Sequence, residues 1–241
     1  MSPSGASGPE LSLVLPCYDE EDVIETTLAD LFAAFDGAHR RLEVVAVDNG
    51  SRDRTGEILR GLARGRPGLV VACVDVNAGY GNGILAGIPL ATAPWIGILC
   101  ADGQVAAADV LALFLRAEGS AEPGVFKVRR RFRRDGLRRK VVSVAYNLAM
   151  TVLFPGLGSI DVNGNPKILP RAALERMTLR SKDWFLDAEI LIQARALRLR
   201  VDEIDVQGHA RAGGASNVRA TTCLEFAKNL FRYRFGAARR R

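Results

Sequence analysis

No cysteine in this chain stands at the spacing that a zinc site or a disulfide framework would require. The four, Cys17, Cys73, Cys100 and Cys223, are scattered, the pattern of reduced thiols in a cytosolic protein. The first ten residues, MSPSGASGPE, lack the basic start and the apolar stretch of a secretion signal and read as a frayed tail. Acidic residues are scarce in one place. From Lys127 to Lys140 the chain runs KVRRRFRRDGLRRK, where Asp135 is the only acid, and Arg239 to Arg241 close it on three more cations. Formal net charge is +6 and the sequence pI about 9.4, which predicts attraction to a polyanion, whether nucleic acid, phosphorylated substrate or anionic membrane.

What is present is an ordinary globular composition, with 48% hydrophobic and 25% charged residues over 241 positions. That excludes disordered and fibrous classes and suffices for one large α/β domain with a substantial core. LSLVLPC, LEVVAVD, LVVACVD and WIGILCAD are short apolar runs that close on polar or turn residues, as strands buried on both faces of a parallel sheet do. Between the first two, Ile24, Leu28, Leu31 and Phe35 recur at helical spacing, so Glu21 to Phe35 is expected to be an amphipathic helix packed on that sheet. The alternation implies a doubly wound, Rossmann-like α/β fold with helices on both faces, whose ligands bind beyond the carboxyl ends of the strands.

Five polar segments begin at expected strand ends: LPCYDEE (Leu15 to Glu21), VDNGSRDRT (Val47 to Thr55), NAGYGNG (Asn77 to Gly83), CADGQ (Cys100 to Gln104) and DAE (Asp187 to Glu189). Together their carboxylates, glycines and amides suit a nucleotide-sugar diphosphate. A base and ribose offer donors that need acceptors, which Glu20 and Asp48 at adjacent strand ends supply, while Pro16 and Tyr18 give a flat apolar wall. Taken alone, Asp48 to Thr55 also reads as a turn followed by a helix cap, and the glycines of NAGYGNG as a plain loop.

The order of these motifs resembles glycosyltransferase family 2, the inverting enzymes of GT-A fold, and among them the polyprenyl-phosphate (dolichyl-phosphate) sugar synthases. The resemblance runs from about Leu11 to Arg219. Pro16, Cys17, Tyr18, Asp19, Glu20 and Glu21 match the family's P-x-Y-N-E-E, with Asp19 for Asn. Asp48, Asn49, Gly50, Ser51, Asp53 and Thr55 match V-D-D-G-S-x-D-x-T, with Asn49 for Asp. The expected organisation is a tail over 1–10, a GT-A domain over 11–219, and a C-terminal helix and basic tail over 220–241.

The resemblance implies roles. Pro16, Tyr18, Glu20, Asp48, Asn77, Gly79 and Asp102 would bind the nucleotide, with backbone at the glycines approaching the diphosphate. CADGQ stands where the family has D-A-D-x-Q, so Asp102 and Gln104 would hold Mg²⁺ or Mn²⁺. Cys100 replaces the first acid, and a thiol is a poor partner for a hard cation, so metal affinity should be weaker than the family norm. The alternative for Cys100 is a buried strand residue without a role. Arg129 and Arg131 would meet acceptor or donor phosphates, and Arg211 and Ser216 match the family's R-x-G-x-S-K loop over the diphosphate. Asp161 and Asn163 would face the sugar, though Asn-Gly is also plain turn chemistry. Asp187 and Glu189, expected just ahead of a helix over Ile190 to Leu199, lie near sugar and acceptor, with Trp184 shaping the pocket. Acids at a helix start also simply favour its dipole.

Val141 to Ile160 carries no charge, as a membrane span would. Ser143, Asn147 and Thr151 nevertheless put a polar stripe on one face, and Pro155 with Gly156 ends the helix early. It is expected to lie along a surface, with the basic run before it meeting lipid headgroups or an acceptor phosphate. The alternatives are a solvated charge run and an ordinary core helix.

The implied reaction is in-line attack at the anomeric carbon with loss of the nucleoside diphosphate, catalysed by Asp102, Arg211 and, for a hydroxyl acceptor, Asp187 or Glu189 as base. A lipid phosphate needs no strong base, since its second pKa is about 6. The expected partners are a GDP-mannose or UDP-glucose type donor and polyprenyl phosphate, with no nucleic acid, at the inner face of a membrane. A soluble hydroxyl acceptor is the second reading, and a non-catalytic anionic-ligand binding module the third.

Overall fold

The computed structural model describes residues 8–131, 137–207 and 233, with backbone alone for 130, 131, 137–143 and 207. In chain order the elements are β1 (Leu11–Cys17), α1 (Ile24–Gly37), β2 (Leu42–Asp48), α2 (Thr55–Ala63), β3 (Leu69–Cys73), α3 (Tyr80–Gly87) and β4 (Trp95–Ile98). They continue with α4 (Ala107–Glu118), β5 (Gly124–Arg131), α5 (Leu137–Leu153), β6 (Lys167–Pro170), α6 (Arg171–Leu174), α7 (Leu186–Ala196) and β7 (Arg200–Gln207).

The apolar runs become strands because alternate residues can be buried on opposite sides of the sheet. Leu11, Leu13 and Leu15 of β1 and Val44 and Ala46 of β2 turn to one face, where α1, α2 and α4 bury Ile24, Leu28, Leu31, Phe35, Leu59 and Phe114 against them. Val14, Val45 and Val47 turn to the other, under Ile84 of α3, Met150 of α5 and Ile190 of α7. The helix expected from Glu21 begins at Ile24, and its anticipated apolar residues are all buried.

Seven strands form one sheet in the order β3-β2-β1-β4-β6-β5-β7. β1 runs parallel to β2 and β4, and β2 to β3, while β6 is antiparallel to both β4 and β5, and β5 is parallel to β7. One reversed strand has a large consequence. The carboxyl ends of β1, β2, β3, β4, β5 and β7 and the amino end of β6 all open onto the same edge. The opposite edge is closed by a buried staple: Ser12 Oγ and the N–H of Thr92 donate to Glu43 Oε1 at 2.5 and 2.7 Å, and the Thr92 hydroxyl donates to Oε2 at 2.8 Å.

Two further boundaries differ from expectation. WIGILCAD is a strand only to Ile98, after which the chain bends through Cys100 to Gln104. The helix expected from Ile190 begins at Leu186, so Asp187 and Glu189 lie inside its first turn and are buried.

Candidate active site

At the open edge the first two motifs hold each other. The backbone N–H of Glu20 donates to Thr55 Oγ1 at 2.8 Å, that of Glu21 to Asp53 Oδ2 at 3.1 Å, and that of Arg52 to Asp19 Oδ1 at 2.7 Å. Burial works against the Asp53 carboxylate, yet hydrogen bonds from Thr55 and the Glu21 N–H hold its pKa below the usual value. Asp53 and Thr55 therefore fix the β1–α1 loop. Burial and then the nearby carboxylates of Glu20 and Asp48 push the Cys17 thiol up, so these two acids share one neighbourhood at the end of β1. Asp48 Oδ1 accepts from the Ser51 N–H at 3.0 Å. Pro16, the last residue but one of β1, lies beside α3, and Tyr18 just after the strand is half-buried.

The glycines of NAGYGNG have a role that the motif alone did not reveal. Gly79 has φ of +117°, and a Cβ there would lie 2.4 Å from the Lys182 carbonyl oxygen. The loop before α7 rests on the start of α3, and Asn82 N–H donates to that same oxygen at 2.8 Å. Gly79 is thus required by contact within the chain, whatever ligand its backbone meets. Asn77 Oδ1 accepts from the Gly79 N–H at 2.8 Å, and Asn49 Nδ2 donates to the Gly79 carbonyl at 2.9 Å. The Asn at 49, where the family motif has Asp, is a donor here.

Beside this loop lies a buried polar cluster. Lys167 Nζ donates to Asp187 Oδ1 at 2.7 Å, and Asn165 Nδ2 donates to Asp187 Oδ2 at 3.1 Å and to the Tyr80 hydroxyl at 2.9 Å. Asn165 Nδ2 is also 3.9 Å from Cys100 Sγ. Burial, then Asp187 and Cys100, push the Tyr80 phenol well above its ordinary pKa. Tyr80 stacks on Trp184 with ring centroids 4.2 Å apart and planes 8° apart. Cys100 accordingly joins a network of tyrosine and amide. It is half-buried beyond the end of β4, a thiol where the family motif has an acid.

Both carboxylates read as candidate bases are already engaged. Asp187 is 1% exposed and has a partner on each oxygen. Glu189 is 2% exposed, and its Oε2 accepts the backbone N–H groups of Arg180 and Ser181 at 3.0 and 2.8 Å. It shapes the loop that carries Trp184. Arg129, expected to meet a phosphate, is paired with Asp205 across the β5–β7 ladder, at 2.5 and 2.9 Å through two nitrogens. Arg131 ends β5 at the open edge. Asp161 is buried and Asn163 half-buried in the turn before β6. Arg211 and Ser216 lie outside the described residues.

Sequence reasoning missed Tyr80, Asn165, Lys127 and Lys167, all of them buried or half-buried around the turn Asp161–Asn165. A lysine in a strand carries no signal that it faces inward, and their partners come from remote segments.

For a divalent cation the donors are limited. Asp102 Oδ1 accepts from the Gln104 N–H at 3.2 Å in a tight turn at the open edge, and among the described residues no group of three or more His, Cys, Asp or Glu is arranged to hold a metal. One carboxylate and one amide fit an ion of the Mg²⁺ kind, which takes most of its ligands from phosphates and water. They do not fit a resident structural metal.

The profile of "Glycosyl transferase family 2" matches residues 12–180. The chain belongs to glycosyltransferase family 2. An uncharacterised glycosyltransferase of Mycobacterium tuberculosis is 28% identical over 214 residues, spanning 88% of this chain and 91% of the relative. The undecaprenyl-phosphate 4-deoxy-4-formamido-L-arabinose transferase of Pseudomonas paraeruginosa is 31% identical over 223 residues, spanning 91% of this chain and 63% of the relative. Among solved structures, glucosyl-3-phosphoglycerate synthase from M. tuberculosis, in complex with Mn²⁺, UDP-glucose and phosphoglyceric acid, aligns with a TM-score of 0.74 at 21% identity. That alignment covers 95% of this chain and 81% of the other. The GT-A fold of this glycosyltransferase is thereby established.

Proposed function

We propose that this glycosyltransferase moves a sugar from a nucleotide-sugar, of GDP-mannose or UDP-glucose type, onto a polyprenyl phosphate with inversion. The observation that carries the acceptor class is the engagement of Asp187 and Glu189. A hydroxyl acceptor needs a general base, and both carboxylates that the motif offered are buried and hydrogen-bonded. A phosphate monoester has a second pKa of about 6 and arrives ionised. Its oxygen forms the bond to the anomeric carbon as the bond from that carbon to the diphosphate oxygen breaks, and the single displacement inverts the centre. The acceptor named for the Pseudomonas relative supports the same class, as does a dolichyl-phosphate β-glucosyltransferase of Trichomonas vaginalis, 25% identical over 92% of this chain.

Glu20 and Asp48 receive the nucleoside, Pro16 and Tyr18 its flat face, and the Tyr80–Trp184 stack borders the sugar. Asp102 with Gln104 would hold a Mg²⁺ or Mn²⁺ ion, which when bound neutralises charge on the diphosphate. Arg211 is assigned to the same diphosphate from its motif.

A peripheral place at the cytoplasmic face of a membrane goes with a lipid acceptor. Among the described residues no helix is long and apolar enough to cross a bilayer. α5 ends before Pro155 and exposes Val144, Leu148 and Val152 by 61%, 62% and 70% on one face. The polar stripe is partly absorbed into the fold, since Asn147 Oδ1 accepts from the Val162 N–H at 3.2 Å. The glucosyl-3-phosphoglycerate synthase likeness keeps a soluble acceptor as the second reading. A screen of GDP- and UDP-sugars, with and without Mn²⁺, against polyprenyl phosphate and non-phosphorylated acceptors tests the proposal. Glycosylated lipid phosphate is the expected product, and product formed only on a non-phosphorylated acceptor overturns it.

A further inference from the structure

Lys127 on β5 and Lys167 on β6 stand directly opposite one another in the antiparallel ladder, and neither has any exposed surface. β7 extends the row with Glu203 opposite Lys127. A buried ammonium is tolerated only when paired and hydrogen-bonded, and each lysine has its own acid: Glu203 Oε1 lies 2.8 Å from Lys127 Nζ and Asp187 Oδ1 2.7 Å from Lys167 Nζ. An ammonium has three donors. Lys127 directs its others to the carbonyls of Asp161 at 2.5 Å and Val128 at 3.1 Å, and Lys167 to the Gly164 carbonyl at 2.9 Å and Asn165 Oδ1 at 3.4 Å.

Those acceptors converge on one structure. The Gly164 N–H donates to the Asp161 carbonyl at 2.8 Å, closing a turn whose first residue hangs on Lys127 and whose end hangs on Lys167. A Cβ at Gly164 would fall 2.2 Å from the Val128 carbonyl oxygen and 2.9 Å from Lys127 Nζ, so the turn sits directly on the ammonium. Asn165 then passes the constraint outward to the Tyr80 hydroxyl, and Tyr80 to Trp184.

We propose that Lys127 and Lys167 are positioning residues for glycosyl transfer: they hold the Asp161–Asn165 turn and, through Asn165, the Tyr80–Trp184 stack in the arrangement that receives the transferred sugar. The inference rests on the reading of the open edge as a nucleotide-sugar site. Neither lysine touches substrate, because protein acceptors take all of its donors. Burial and then the ammonium of Lys167 push Lys127 down to about 8, against the pull of Glu203 and Asp161, the charged groups that face it from β7 and the turn. Above that pH one hydrogen bond to the turn or to Glu203 is lost.

The test uses Lys127→Met combined with Glu203→Gln, which leaves no unpaired buried charge and spares Asp187. Nucleoside diphosphate binding is followed by calorimetry, transfer by steady-state kinetics from pH 6.5 to 9.5, and folding by circular dichroism. In the wild type, kcat is expected to fall as pH rises through about 8 while the protein stays folded. In the folded variant the nucleoside diphosphate Kd should remain within about threefold, kcat at pH 7 should drop about tenfold to a hundredfold, the range of a small misplacement, and the alkaline limb should disappear. A folded variant with kcat within twofold of wild type overturns the inference. If the variant does not fold, a wild-type kcat that is flat from pH 7 to 9.5 overturns it. Wild-type protein that neither binds nucleoside diphosphate nor transfers sugar overturns the functional reading, and the inference with it.

Discussion

The buried lysine row makes stability depend on pH in a direction opposite to that of a surface lysine. Lys127 titrates at about 8 in the folded protein against 10.5 for the free side chain. Between those values the unfolded chain holds a proton that the folded chain has released, so the unfolding free energy rises with pH. Below pH 8 both states are protonated and the full penalty for the buried charge is present. Above 10.5 both are neutral and it is gone. A difference of roughly 2.5 pH units corresponds to about 3 kcal/mol. Urea denaturation at pH 7, 8, 9 and 10 of the wild type and of Lys127→Met/Glu203→Gln measures it. Glu203 does not titrate in this window, since Lys127 and the hydrogen bonds from Lys127, Ser159 and Ile160 outweigh burial and keep its pKa low. Wild-type stability relative to the variant should climb by about 2–3 kcal/mol from pH 7 to 10. A flat difference would refute the claim that burial and Lys167 lower the pKa of Lys127 in the folded protein.

Lys167→Met alone leaves Asp187 charged and buried, and should destabilise by about 3–5 kcal/mol, read as a drop of about 6–20 °C in melting temperature for a chain of this size. Adding Asp187→Leu should recover most of that loss, and a double variant as unstable as the single one would show that the pair is not coupled. Gly79→Ala forces a contact with the Lys182 carbonyl and a strained φ, which together should cost about 1–3 kcal/mol and weaken nucleoside diphosphate binding as the loop shifts. Asp53→Ala removes acceptors for the Glu21 and Thr55 N–H groups, with an expected loss of about 1.5–3 kcal/mol and weaker donor binding. An unchanged UDP or GDP affinity would separate the loop interlock from the nucleotide site.

The first half of the fold was legible because its strands announce themselves. β1 and β2 run over the residues that their apolar sequences mark, and Ile24, Leu28, Leu31 and Phe35 are buried as their spacing requires. The far half was not. β5 reads as a charge run and β7 as acidic, because Lys127 faces Glu203 and Arg129 faces Asp205 directly across the parallel ladder. Each strand carries charges whose partners stand on the other, beyond the reach of local pattern. Asp187 and Glu189 were misplaced ahead of a helix for the same reason. Carboxylates at 187 and 189 look solvated until Lys167 and the N–H groups of Arg180 and Ser181 arrive from elsewhere in the chain. Gly79 was expected to approach a diphosphate, and the Lys182 carbonyl by itself already demands a glycine there, a contact spanning about a hundred positions that local pattern cannot encode.

The single reversed strand also sets how the enzyme can diverge. β6 is a four-residue seam, bonded on one side to β4 and on the other to β5. Glu20, Asp48 and Asp102, assigned to the nucleotide and its metal, follow strands on one side of it, whereas Arg211 and the chain that would meet an acceptor follow strands on the other. A lineage can therefore lengthen or rewrite the stretch between β5 and β6 to suit a new recipient molecule while the nucleotide cradle is inherited untouched.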